Sequence, residues 1–143
     1  MTHLTQLTCS RCDQTYDPNE PQTVCAACGK PLLARYDLDR VKATWKKADL
    51  LERAPSMWRY RELLPVRDPE RIVSLGEPLT PLLRAPRLGR RLGLDDLWVK
   101  DESRLPTGTF KARGFAMAVT RAVELGVRSV AIPSAGNAAE AGA

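Results

Sequence analysis

Apolar side chains recur along this chain at different spacings, and each spacing predicts a different element. Ala112, Phe115, Ala116, Val119, Ala122 and Val123 fall three or four residues apart, the stripe of an amphipathic helix. Gly126 follows where a left-handed residue ends a helix, so about four turns are expected. Ahead of that helix, Leu97, Trp98 and Val99 read as a short strand, and Pro106 and Gly108 punctuate a tight turn. Thr107 and Thr109 each carry a hydroxyl able to cap the helix start, and the sequence leaves open which does. Beyond the helix, Val127 to Pro133 is a short apolar run that predicts a second strand. Ser134-Ala135-Gly136-Asn137 then forms a small-residue loop feeding an alanine-rich helix. The order strand, helix, strand, helix predicts an α/β class with the start of a doubly wound sheet.

The front of the chain has other patterns. From Tyr36 to about Glu52, Leu38, Val41, Trp45, Ala48 and Leu50 or Leu51 share one face while Arg40, Lys42, Lys46 and Lys47 point away, predicting one amphipathic helix with a basic solvent face. Met57 to Leu64 predicts a second short helix ended before Pro65, with Trp58, Tyr60 and Leu63 as core anchors. Residues 65–95 are rich in Pro and Gly, so extended segments joined by turns are expected, with a short helix from Arg84 to Gly93. The expected organisation is a metal-binding module over 1–34, a helical connector over 35–74, and the first part of a catalytic domain over 75–143.

Composition narrows the function classes. The 143 residues are 43% apolar, and 22 Lys and Arg against 17 Asp and Glu give a formal charge of +5. The basic residues are scattered, so a mixed solvated surface is expected rather than a nucleic-acid face with interleaved aromatics. No stretch approaches the ~20 apolar residues of a membrane span, and the N-terminus lacks the regions of a signal peptide. A cytoplasmic location is expected, with neither nucleic acid nor membrane as partner.

All four cysteines lie in the first 28 residues, as Cys9-Ser10-Arg11-Cys12 and Cys25-Ala26-Ala27-Cys28. Two residues between thiols let one tight turn aim both sulfurs at one ion, and Gly29 relieves the backbone after the second turn. In a reducing compartment this pattern points to metal rather than disulfides. Four thiolates close a tetrahedron, so structural zinc on Cys9, Cys12, Cys25 and Cys28 in a zinc ribbon is expected. His3, the only histidine, is not needed as a ligand. A module this small has too little core of its own, so metal binding and folding should be coupled.

Lys111 falls in the first turn of the predicted helix. The positive end of the helix dipole disfavours an ammonium there, so this amine is expected to lose its proton readily and to suit Schiff-base chemistry. Most lysines are surface charges, and composition alone does not separate this one from them.

Motifs carry the reading further. Pro106-Thr107-Gly108-Thr109-Phe110-Lys111-Ala112-Arg113-Gly114 resembles the cofactor-lysine motif of the tryptophan-synthase-β-like, fold type II pyridoxal-phosphate enzymes, and Pro133-Ser134-Ala135-Gly136-Asn137-Ala138 resembles their asparagine loop. With Gly76-Glu77-Pro78-Leu79-Thr80-Pro81-Leu82 upstream and the four cysteines in front, the chain is most similar to the threonine synthase branch. That resemblance implies a zinc ribbon followed by the truncated start of a fold type II α/β domain, with pyridoxal 5'-phosphate as cofactor and Lys111 as its Schiff-base lysine and proton shuttle. It implies that Asn137 bonds the cofactor ring oxygen, and that Ser134, Gly136 and neighbouring amides hold the anionic ends of a small amino-acid substrate. The implied reaction converts O-phosphohomoserine and water to threonine and phosphate, in a protein that can form a homodimer at full length. In the family, the loop cradling the cofactor phosphate and the partner of the pyridine nitrogen lie beyond Ala143, so an inactive fragment is expected. Ala138 stands where many relatives carry threonine, and Glu140 adds a negative charge nearby. A threonine or serine dehydratase, or another β-replacing enzyme, is the alternative within the class. A zinc-ribbon module binding nucleic acid or protein through Arg11, Lys30, Arg35 and Tyr16 is the alternative outside it.

Overall fold

A computed structural model describes residues Thr2–Ala143. The front of the chain forms a three-stranded antiparallel sheet with β1 (Leu4–Cys9) between β2 (Thr15–Tyr16) and β3 (Leu32–Tyr36). Its register pairs Leu7 with Tyr16 and Cys9 with Leu32, so β1 runs into the first cysteine pair and β3 leaves just after the second. Leu4, Thr8 and Cys9 are the buried positions of β1. Gly29 adopts a φ of 67° directly after Cys28, the left-handed conformation its position required.

The single helix expected from Tyr36 to Glu52 is divided in two. The Asp37 carboxylate accepts from the Arg40 amide at 2.9 Å and starts α1 (Leu38–Thr44). Thr44 ends it: its hydroxyl donates back to the Arg40 carbonyl at 2.8 Å, and Trp45 is extended. A second short turn, Lys47–Leu51, begins where the Asp49 carboxylate accepts from the Lys46 amide at 2.7 Å. Asp and Thr side chains compete for backbone partners, and here that competition overrides the apolar period. The stripe is accordingly only partly covered: Val41 is buried, whereas Leu51 is 85% exposed.

The segment Met57–Leu63 is a 3-10 helix with an irregular Tyr60, and its inward residue is not one of the expected aromatic or leucine anchors. Tyr60 and Leu63 are exposed, while Glu62 is buried. The Glu62 carboxylate accepts from both terminal nitrogens of Arg53 at 2.7 and 2.8 Å. Arg53 also donates to the Arg59 carbonyl at 2.6 Å, and its guanidinium lies 5.7 Å from the Trp45 ring centre. A bidentate guanidinium satisfies the carboxylate, so this position turns inward in place of an apolar side chain.

Residues 65–95 follow the expected course, with a short turn at Pro69–Arg71, β4 (Leu82–Arg84) and α2 (Pro86–Leu92). Pro86 opens α2 and Gly93 closes it. β5 (Trp98–Lys100) then pairs antiparallel with β4, matching Leu82 to Lys100 and Arg84 to Trp98. The long helix α3 spans Lys111–Glu124. It ends with Val127 donating to the Ala122 carbonyl at 2.9 Å and Gly126 to the Val123 carbonyl at 3.1 Å, a Schellman closure around the left-handed Gly126. Its buried stripe is Ala112, Ala116 and Thr120; Val123 is exposed instead. The strand expected over 127–133 does not form among the described residues, and the run leads directly to α4 (Asn137–Gly142). A strand exists only through its ladder partner, and among the described residues β4 alone pairs with β5. The architecture is mixed α/β, without the parallel pair that the strand-helix-strand order suggested.

Front and back are fastened together. Arg121, in the last turn of α3, donates to the Pro18 carbonyl in the loop between the two cysteine pairs. The amide of His3 donates to the Glu62 carbonyl at 3.0 Å.

Replacing Arg53 with Ala strands the Glu62 carboxylate and should cost about 3 kcal/mol of stability. Arg71→Ala, which removes the exposed pair with Asp68, should cost under about 1 kcal/mol. Urea unfolding of the two variants is the check, and equal midpoints would contradict this account of the connector.

Candidate functional site

Two constellations carry chemistry. The first is at the front, where the turns after β1 and before β3 bring the four thiols together, with all sulfurs within 4.8 Å of one another. The Sγ atoms of Cys9 and Cys28 are 3.4 Å apart, those of Cys12 and Cys25 3.5 Å, and those of Cys12 and Cys28 3.6 Å. These separations are far longer than the ~2.05 Å of a disulfide. They approach the ~3.8 Å edge of a tetrahedron built on ~2.3 Å metal–sulfur bonds. The donor set therefore fits a four-coordinate thiophilic cation.

Tyr16 supports this cluster. Its hydroxyl donates to Cys25 Sγ at 3.1 Å and accepts from the Ala26 amide at 2.8 Å. That donated hydrogen bond is the main reason the Cys25 thiol is held down to about 6, so the thiolate form is favoured before any cation arrives. The Arg11 amide adds a bond to Cys9 Sγ at 3.4 Å. The Tyr16 hydroxyl is thus committed to the cluster.

The second constellation surrounds Lys111, the first residue of α3. Neither Thr107 nor Thr109 caps the helix. The amides of Ala112 and Arg113 are taken by the carbonyls of Thr109 and Phe110, at 3.3 and 3.2 Å, so backbone turns do the capping. Both threonine hydroxyl oxygens are left buried without a partner. Two unfilled hydroxyls flanking Gly108 give the loop hydrogen-bonding capacity that the chain itself does not use. Lys111 is exposed, with Nζ 5.2 Å from the Phe110 ring centre. It edges a cavity of about 230 Å³ lined by Phe110, Gly114, Phe115 and Ala118. A neighbouring cavity of about 340 Å³ shares Phe115 and Ala118 and extends to Val130 and Pro133.

The turn that presents Lys111 is held by side chains that sequence reasoning passed over. Arg113 donates Nε to Glu102 Oε2 at 2.7 Å and Nη2 to Glu102 Oε1 at 3.2 Å, and Nη2 also reaches the Pro78 carbonyl at 3.0 Å. Thr80 donates its hydroxyl to the same carboxylate. Lys100 Nζ donates to the Thr80 carbonyl at 2.6 Å, so the second lysine near the motif is already occupied. The Arg113 guanidinium is the chief cause holding the Glu102 carboxyl below the usual carboxylate range. The available signal was a guanidinium inside the lysine motif with an acidic residue in the preceding loop. Glu77, in the quoted upstream segment, is likewise buried, accepting from the Ser74 hydroxyl and, at 3.0 Å, from the Leu75 amide.

Asn137 is the first residue of α4, and Ser134, Gly136 and Asn137 are all exposed. Ser134 Oγ accepts from the Gly136 amide at 3.2 Å, forming the expected small turn. Neither of the two cavities along α3 includes these three residues. The structure brings the cysteines together, whereas the cavity that Lys111 edges does not include the asparagine loop.

Residues 73–143 match the family described as pyridoxal-phosphate dependent enzyme. The chain is 45% identical over 129 residues to the threonine synthase of Methanocaldococcus jannaschii, covering 90% of this chain and 32% of that protein. It is 40% identical over 136 residues to the threonine synthase of Methanosarcina acetivorans, covering 94% and 32% respectively. A third similarity, 44% over 85 residues, is to the threonine synthase of Synechocystis and covers 59% of this chain and 22% of that protein. The chain thus spans about a third of the length of the first two relatives. Among the described residues, no helix is long and apolar enough to cross a membrane.

Because the folded Glu102 carboxyl is depressed, its contribution to stability is complete above the ordinary carboxylate value of ~4.3 and is lost as pH falls through the lower folded value. Acid titration followed by circular dichroism should show less loss of stability between neutral and low pH in Glu102→Gln than in the parent chain. Parallel curves would count against the pair.

Proposed function

The chain belongs, through residues 73–143, to the pyridoxal-phosphate dependent enzyme family, and from that premise we propose that it carries the reactive lysine and substrate loop of a threonine-synthase-type lyase acting on O-phosphohomoserine. The observation that carries the reading is the state of the two lysines at the motif. Lys111 opens α3 with an exposed amine beside a cavity and two unpartnered threonine hydroxyls, whereas Lys100 is bonded to a backbone carbonyl. When bound, pyridoxal phosphate supplies the electron sink for chemistry beside an amino-acid carbonyl carbon. The residues of the chain supply position and protons. Lys111 Nζ is the nucleophile toward a carbonyl and the group that accepts and returns a proton. Asn137 is proposed to hydrogen-bond a ring oxygen of the cofactor, with Ser134 and the Gly136 amide meeting an anionic substrate end.

At the front, we propose that Cys9, Cys12, Cys25 and Cys28 bind one structural zinc ion in a ribbon over residues 1–34. Sulfur spacing near the tetrahedral value and the absence of an open coordination position in a four-thiolate set support that role. The connector over 35–74 and the catalytic portion over 75–143 complete the proposed organisation.

Incubation with pyridoxal 5'-phosphate should give a visible-absorbing adduct whose fastest-forming component is lost in Lys111→Ala and kept in Lys100→Ala. An unchanged rate of band formation in Lys111→Ala would sink the lysine assignment. Metal analysis of protein purified under reducing conditions should find one zinc per chain. Cys12→Ser or Cys25→Ser should lose the ion and unfold the front sheet, as read by amide hydrogen exchange over residues 4–36. Full protection of that sheet in metal-free protein would contradict the structural role.

A further inference from the structure

We propose that Glu102 and Arg113 are positioning residues that fix the direction in which the Lys111 side chain leaves its helix, an inference that rests on the reading of Lys111 as the reactive amine. At 3.6 residues per turn, a residue two positions on is turned by about 200°, so Arg113 leaves α3 on nearly the opposite side from Lys111. That back side is where the helix is clamped. The two nitrogens of Arg113 meet the two oxygens of Glu102 at 2.7 and 3.2 Å. A two-point fork fixes an angle as well as a distance, which a single ammonium does not.

The anchor behind the fork is itself held. Arg113 reaches the Pro78 carbonyl at 3.0 Å, Thr80 bonds the Glu102 carboxylate, and the Asp101 amide, next to Glu102, donates to the Pro81 carbonyl at 2.9 Å. The β4 and β5 strands on either side of this junction are paired with each other. The clamp is also sheltered: the two side chains are 23% and 25% exposed, against 60% and 65% for the Arg84–Asp96 pair on the same strands' far end. The first turn of α3 therefore cannot roll about its axis without breaking the fork. A roll of about 30° would carry a group roughly 6 Å from the axis through about 3 Å, more than the ~1 Å displacement that can cost a positioned reactive group ~10²-fold.

The test measures where the chain reacts, not its turnover. The 143-residue chain is incubated with pyridoxal 5'-phosphate, the adducts are reduced with borohydride to stable secondary amines, and the modified lysines are mapped by peptide mass spectrometry over time. In the parent chain Lys111 should be modified faster than Lys100. Arg113→Lys, which keeps the charge and loses the fork, should slow modification of Lys111 about tenfold while leaving other exposed lysines at their parent rates, and Glu102→Gln should do the same. Glu62→Gln breaks a comparably sheltered pair away from α3 and should leave the Lys111 rate unchanged. A parent chain that shows no preference for Lys111 overturns the reading of that lysine. A preference that survives both Arg113→Lys and Glu102→Gln, or that is lost equally in Glu62→Gln, overturns the positioning role alone. Should Glu102→Gln fail to fold, Arg113→Lys decides the question by itself.

Discussion

Buried polar groups that each fasten two distant segments hold this chain together, because its fully buried apolar side chains are few and mostly small. Among the described residues, the buried apolar set away from the front sheet is Val41, Val66, Leu105, Ala112, Ala116 and Ala141. Polar side chains take over where that set ends. Thr120, fully buried on α3, accepts from the Val73 amide at 2.9 Å and donates to the Val73 carbonyl at 3.3 Å. Glu124 accepts from the amides of Arg67 and Asp68 at 2.8 and 2.6 Å, and Glu62 and Glu102 each take a forked arginine. Such contacts contribute little net energy compared with apolar burial, but each leaves a costly orphan when broken. They therefore specify the arrangement strongly relative to what they add to its stability.

This division explains what was legible in the sequence. The helix from Lys111 to Glu124 and its glycine closure follow from a local period and a local backbone preference, and both are found where expected. The cysteine cluster follows from spacing alone, because two tight turns suffice to aim four sulfurs. Residues 38–51 misled because Thr44 and Asp49 capture backbone groups inside an unbroken apolar period. Residues 127–133 misled for a different reason: strand formation depends on a partner elsewhere in the fold, and an apolar run cannot supply one.

The same division governs the candidate site. Lys111 and Asn137 could be picked out because each lies in a short motif, and each indeed opens a helix. The groups that hold Lys111 in place were harder to see. Glu102, Thr80 and the Pro78 carbonyl are 11, 33 and 35 residues from Arg113 along the chain, and no periodicity links them. The buried, unpartnered hydroxyls of Thr107 and Thr109 were likewise invisible, since both residues looked like ordinary helix caps.

The bond from Arg121 to the Pro18 carbonyl has a consequence for how the molecule opens. Pro18 lies in the loop between the two cysteine pairs, and Arg121 sits ten residues, or about 15 Å, along the same helix as Lys111. One rigid rod is thus gripped at one end by the thiol-bearing sheet and at the other by the Glu102 fork. Fluctuations that move the loop between the cysteine pairs must break a contact to α3, so the front of the chain is tied to the C-terminal end of that helix while the fork holds its other end.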